Sequence, residues 1–196
     1  MQIPEGRSRF VAWKDSETPL KAFILGIITA IVLAIAAGLL VALAGLVSMR
    51  ADNPPSKIET ILAGHAMDAS VERAAPKAAN PLSADEATLV AGARLYREDC
   101  TICHGDPAHP KSPLADSFNP PAPQFMTDKA EMPENQNSYI IEHGIRWTGM
   151  PGWKNVLTEK EIWQVVTFLS HMDNLPPAAK QVFTETAART APHPSP

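Results

Sequence analysis

Cys100 and Cys103 are the two cysteines of a 196-residue chain, and His104 follows them directly. A pair so close in sequence cannot staple a fold, so its use is local chemistry. One helical turn separates the two thiols. That spacing lets both add across the two vinyl groups of one porphyrin, while the next residue delivers an imidazole to the iron. Cys100-Thr101-Ile102-Cys103-His104 is thus the attachment pattern for one covalent haem c and its iron. A zinc site would call for a second ligand pair, and the chain has no further cysteine. A thioredoxin-type thiol pair would sit in a βαβ pattern, and no stretch here alternates like a strand.

An iron held by His104 needs a sixth ligand or stays open. Met150, in Gly149-Met150-Pro151-Gly152, is the expected ligand. Flanking glycines and a proline suit a tight turn that aims one side chain. Met126, Met132 and Met172 lack such a setting, and His143 and His65 are the bis-histidine alternatives.

Helices must position these groups. Three capping-box patterns start them: Ser56 to Glu59, Ser83 to Glu86 and Thr158 to Glu161. The first opens a short amphipathic helix at about 56–75, with Ile58, Ile61, Leu62, His65 and Ala69 on one face. The second opens the helix that ends in the cysteines, with Leu89, Gly92, Ala93 and Tyr96 on one face. The third opens a helix that turns Ile162, Val165, Val166 and Leu169 toward a core, and Pro176-Pro177 stops it. Between them lie a Pro-rich loop over 105–133 and a short helix from Asn137 to His143, closed by Gly144.

Ala22 to Val47 carries no charge. A helix of that length exceeds a hydrocarbon core of about 30 Å. A cleaved signal peptide is the competing reading, and Ala42-Leu43-Ala44 imitates a cleavage site. Its apolar region would span only roughly 7–15 residues, so a retained single-pass anchor is expected. Arg7, Arg9, Lys14 and Lys21 precede the span and only Arg50 closely follows it. This bias places the N-terminus in the cytoplasm and the rest outside the membrane. Ala22, Gly26, Ala30, Ala34, Gly38 and Ala42 recur every fourth position, a stripe that lets a second helix of another membrane subunit approach. The expected division is a cytoplasmic arm (1–21), a transmembrane anchor (22–48), a linker with the short helix (49–82), a haem domain (83–176) and a mobile tail (177–196).

Residues 83 to 176 resemble a class I cytochrome c of the membrane-anchored bacterial monohaem type. The resemblance rests on the Cys-x-x-Cys-His helix, on Asn119-Pro120-Pro121-Ala122-Pro123, on Ile145-Arg146-Trp147-Thr148-Gly149-Met150-Pro151, and on Gly92, Tyr96, Val165 and Phe168 at the positions where the first and last helices cross. It implies an all-α class I cytochrome c fold behind a single N-terminal transmembrane helix. It also implies that His104 and Met150 ligate the iron. The carbonyl of Pro120 or Pro121 would accept a hydrogen bond from His104, and Arg146, Trp147 and Trp153 would cover the haem propionates.

An electron-transfer protein rather than an enzyme follows from such ligation, because no iron position is left for a substrate. Three function classes remain: a subunit tethered in a larger redox complex of the inner (cytoplasmic) membrane with its haem in the periplasm, a free tethered shuttle, and an open-site sensor or enzyme. Asp85 to Asp173 holds 13 acidic and 7 basic residues, which favours a redox protein partner with a basic face. With a net charge of −4 the chain does not read as a nucleic-acid binder.

Overall fold

The computed structural model describes residues 18–185, which divide between two units, residues 1–49 and residues 50–196. Regular structure is all helical, and among the described residues no strand forms.

The first unit is one helix, α1 (Thr18–Leu43). It starts earlier than the uncharged run, so the last four residues of the expected arm are helical. Pro19 fits there because the first turn needs no N–H from it. The other arm charges, Arg7, Arg9 and Lys14, lie outside the described residues. α1 ends before Val47 because Gly45 turns the chain with φ 69°. The Gly45 amide donates to Ala42 O and the Leu46 amide to Val41 O, the paired bonds that close a helix on a left-handed glycine. At 1.5 Å per residue α1 is about 39 Å long. Within Pro19–Leu43 an 18-residue window reaches a mean hydropathy of 2.9, so the helix is long and apolar enough to cross a membrane.

The second unit begins with α2 (Lys57–Ala74), whose Ser56–Glu59 capping box forms as expected. Its packed face differs from the expected one. Ile58, Ile61 and Leu62 stay exposed, whereas Val71 and Ala75 are buried. α2 meets α5 (Glu134–His143). Asn135 Nδ2 donates to Pro76 O at 2.8 Å, and Asn80 Nδ2 donates to Thr167 Oγ1 at 2.8 Å. Much of the segment expected as a linker is therefore docked.

α3 (Glu86–Leu95) is capped by Asp85 rather than Ser83. The Asp85 carboxylate accepts the Thr88 amide at 2.8 Å, and the Ser83 hydroxyl donates to that carboxylate. Tyr96–Cys100 then forms a π-helical turn, in which the Thr101 amide bonds back to Tyr96 O, before α4 (Thr101–His104). α5 starts one turn earlier than expected, after Pro133, and closes on Gly144 with φ 68° as expected. α6 (Glu159–Ser170) carries the Thr158–Glu161 capping box.

The expected mobile tail instead begins with α7 (Pro177–Thr184), with Pro177 in its first turn. Ala179 and Phe183 are buried, and α7 packs on α3. Phe183 meets Tyr96 edge-on at 5.7 Å and Phe168 at 5.1 Å. Arg97 Nη1 donates to Val182 O at 2.9 Å. Ala179, Phe183 and the Arg97 bond thus dock a helix that composition marked as tail.

α3 and α6 cross at Gly92. A Cβ there would stand 2.1 Å from Gln164 O and 2.7 Å from Phe168 Cβ, so only glycine permits the approach. Tyr96 and Phe168 are both fully buried, with ring centres 5.4 Å apart. Leu95, Ile141, Leu157, Ile162, Trp163, Val165 and Val166 form the larger core cluster, between α3, α5 and α6.

Candidate functional site

The attachment turn sits at the end of the helical run α3–π turn–α4. Cys100 packs against both core clusters, which anchors the turn to the α3/α6 crossing. Both cysteines are free thiols. Burial pushes the Cys100 thiol well above its ordinary range, with Asp99 and Cys103 adding to the effect, and burial also raises Cys103. Both shifts favour the neutral thiol.

His104 Nδ1 lies 2.9 Å from Pro123 O. A carbonyl only accepts, so Nδ1 carries the ring proton and Nε2 keeps its lone pair. Burial lowers the His104 pKa, partly offset by the Pro123 hydrogen bond. A neutral imidazole with a free Nε2 is the form that binds iron. The Phe125 ring stacks on the imidazole at 4.8 Å and 15°.

The carbonyl partner is thus Pro123 and neither Pro120 nor Pro121. The reason is how the loop is laid along the turn. Gln124 Nε2 donates to Cys103 O at 2.9 Å and to Ala122 O at 2.7 Å, and the Phe125 amide donates to His104 O at 3.3 Å. These bonds bring Pro123 to His104. Pro120 and Pro121 are exposed. Other groups complete the turn. Ser112 Oγ donates to Ile102 O, and Tyr96 OH donates to Gly105 O at 3.0 Å and lies 3.3 Å from His104 O. Carbonyls at a helix C-terminus have no partner inside the helix, so the loop and Tyr96 supply them here. Gly105, with φ 83°, allows Pro110 O to approach where a Cβ would stand at 2.8 Å.

The methionine loop is equally closed. Ile145 N donates to Met150 O at 3.1 Å and Thr148 N to Ile145 O at 3.2 Å. The Thr148 hydroxyl donates to Ile145 O at 2.9 Å and accepts the Met150 amide at 3.1 Å, so it caps the turn. Met150 packs on the larger core cluster, as do Cys100 and Trp153. Phe118, from the Pro-rich loop, rests on Gly149, where a Cβ would meet its ring at 2.2 Å. Met126 and Met172 pack instead with Phe125 in the smaller cluster, beside the ring that covers His104. His143 lies at the end of α5 with its ring 4.6 Å from Tyr139, and His65 is exposed on α2.

The three residues expected over the propionates are spread out. Trp147 is 93% exposed with φ 62°, Arg146 is exposed, and Trp153 is half-buried against the core. The shape of the methionine turn explains this, since Arg146 and Trp147 form its tip while the Trp153 amide is tied to Ile141 O. Sequence reasoning missed Ser112, Pro123, Gln124, Phe125 and the Tyr96 hydroxyl as parts of the site. No spacing rule marks them, because most act through backbone carbonyls.

Haem c fits this arrangement, with two neutral thiols one turn apart, a directed imidazole lone pair and a partly buried thioether on a neighbouring loop. Among the described residues no cluster of three or more His, Cys, Asp or Glu side chains could hold a bare metal ion instead. Residues 87–169 match the family described as cytochrome C oxidase, cbb3-type, subunit III, a match that covers less than half of the chain. No curated protein and no solved structure matches the chain. Motif, geometry and family match together make this helical domain a c-type cytochrome domain that binds haem c and its iron.

Proposed function

We propose that the protein is a membrane-tethered electron-transfer subunit. In this reading α1 spans the cytoplasmic membrane with the N-terminus inside, and the haem domain works in the periplasm. The observation that carries the redox reading is the split of His104, with Nδ1 fixed on Pro123 O and Nε2 left for iron. Haem c, when bound, supplies a one-electron iron couple. His104 Nε2 and the Met150 thioether are the two donors of this chain that would hold that iron. His104 ends α4 and Met150 stands on a loop closed by hydrogen bonds, so both would be held in place through a change of charge on the iron. Ile102, 56% exposed between the cysteines, leaves the attachment turn within reach of a partner.

Three observations support a subunit rather than a free shuttle. The matching family is described as a subunit of an oxidase. The stripe Ala22, Gly26, Ala30, Ala34, Gly38 and Ala42 lies on α1, and both glycines have open space beside them. Thirdly, α2 is docked on the haem domain, which shortens the free tether. Partner subunits, lipid around α1 and a basic redox partner complete the reading. Purification of the full chain from its native membrane in mild detergent tests it. Co-purification with other membrane proteins is expected, and a solitary chain would favour the tethered shuttle.

A further inference from the structure

Gln124 is a buried polar residue in a Pro-rich loop, and its amide is fully used. Nε2 gives its two hydrogens to Cys103 O and Ala122 O, and Oε1 accepts the Ser112 amide at 2.7 Å. The two carbonyls it joins belong to the residues just before His104 and just before Pro123. One side chain therefore fixes the spacing of the two segments that make the His104–Pro123 bond. The Phe125 amide on His104 O closes the other side of that bond. No other residue type does this in the same space. Glutamate offers no donor when ionised, and leucine leaves buried groups without partners.

We infer that Gln124 is a positioning residue for the proximal ligand: its amide clamp sets the His104–Pro123 hydrogen bond and, through it, the reduction potential. The inference rests on the haem reading above. A hydrogen bond from Nδ1–H to a carbonyl raises the basicity of a ligating histidine. A more basic donor favours ferric iron, so loosening the clamp moves the potential in the positive direction.

The test uses the full-length, haem-loaded chain in detergent and compares Gln124→Leu, the milder Gln124→Asn and Thr167→Val with wild type. Thr167 is a buried control whose hydroxyl bonds to Trp163 and Asn80 and not to the attachment turn. Midpoint potential and exchange of the His104 Nδ1 proton, followed by NMR, are read together. Both Gln124 variants should show a more positive potential and about tenfold faster exchange, while Thr167→Val keeps wild-type values even where it lowers stability. Wild-type potential and exchange in Gln124→Leu or Gln124→Asn, or equal shifts in Thr167→Val, would overturn the inference. A wild-type chain that takes up no haem would overturn the function with it, which keeps the two failures distinct.

Discussion

His104 offers one proton and one lone pair, and the fold gives them different tasks. The proton is held by Pro123 O, and the lone pair is left for iron. In the proposed ligation Met150 would supply the sixth donor. Met150→Ala should therefore keep the covalent haem but lose the low-spin state, and its reduced form should bind carbon monoxide. Its potential should fall, because a thioether favours ferrous iron. Spectra and a redox titration of the variant check this, and an unaltered low-spin spectrum would assign the sixth position elsewhere. At this scale the side chains of chemistry were legible. Cys100, Cys103 and His104 announce themselves by spacing, and Met150, singled out by its turn, is the proposed sixth ligand. Pro123 was not, because the acting atom is a main-chain oxygen. Which proline supplies it depends on loop register, and that register is set by Gln124 and Phe125 across space. Arg146 and Trp147, expected over the propionates, stand exposed at the tip of the methionine turn. Their place at a turn tip follows from backbone closure and not from residue type.

The elements were legible wherever a cap or a crossing fixed them. Thr158–Glu161 and Ser56–Glu59 form as their sequences require. Removing the first cap with Thr158→Ala should cost about 1 kcal/mol in chemical denaturation. Gly92→Ala should cost more, about 3 kcal/mol, since the α3/α6 crossing has no room for a methyl. A variant of near wild-type stability would mean that the helices can separate freely. Asp85 shows where the sequence misled, because Ser83 looked like the cap and instead supports Asp85. The Thr88 amide and then the Ser83 hydroxyl hold the Asp85 carboxyl below the usual carboxylate range. Its stabilising effect is thus complete above the ordinary pKa of about 4 and fades as pH falls through the lower folded value. Asp85→Asn should flatten the acid limb of the thermal stability profile, and an unchanged limb would assign that limb to other groups. α7 was the larger miss. Ala-, Thr- and Pro-rich composition hid a helix that docks through Ala179 and Phe183. Phe183→Ala should cost about 3 kcal/mol, whereas a loose tail would tolerate it without loss.

For the whole molecule, the chain divides into a unit with a single apolar helix and a c-type cytochrome domain. The all-helical class was readable from periodicity and from one motif. The docking of α2 was not, because Ile58, Ile61 and Leu62 advertised a face that the domain leaves bare. Net charge bears on the partner at this scale. An acidic haem domain meeting a basic face predicts electron-transfer rates that fall as salt rises. Salt-independent rates would remove that argument.

The most direct test of the central claim is the absorption spectrum of the purified full chain, oxidised and reduced, with and without carbon monoxide. A closed His104–Met150 iron predicts a low-spin spectrum in both states, indifferent to the gas, with the weak sulfur-to-iron band in the oxidised form. A high-spin reduced form that binds the gas would contradict it and point to an open iron site, hence to a sensor or an enzyme.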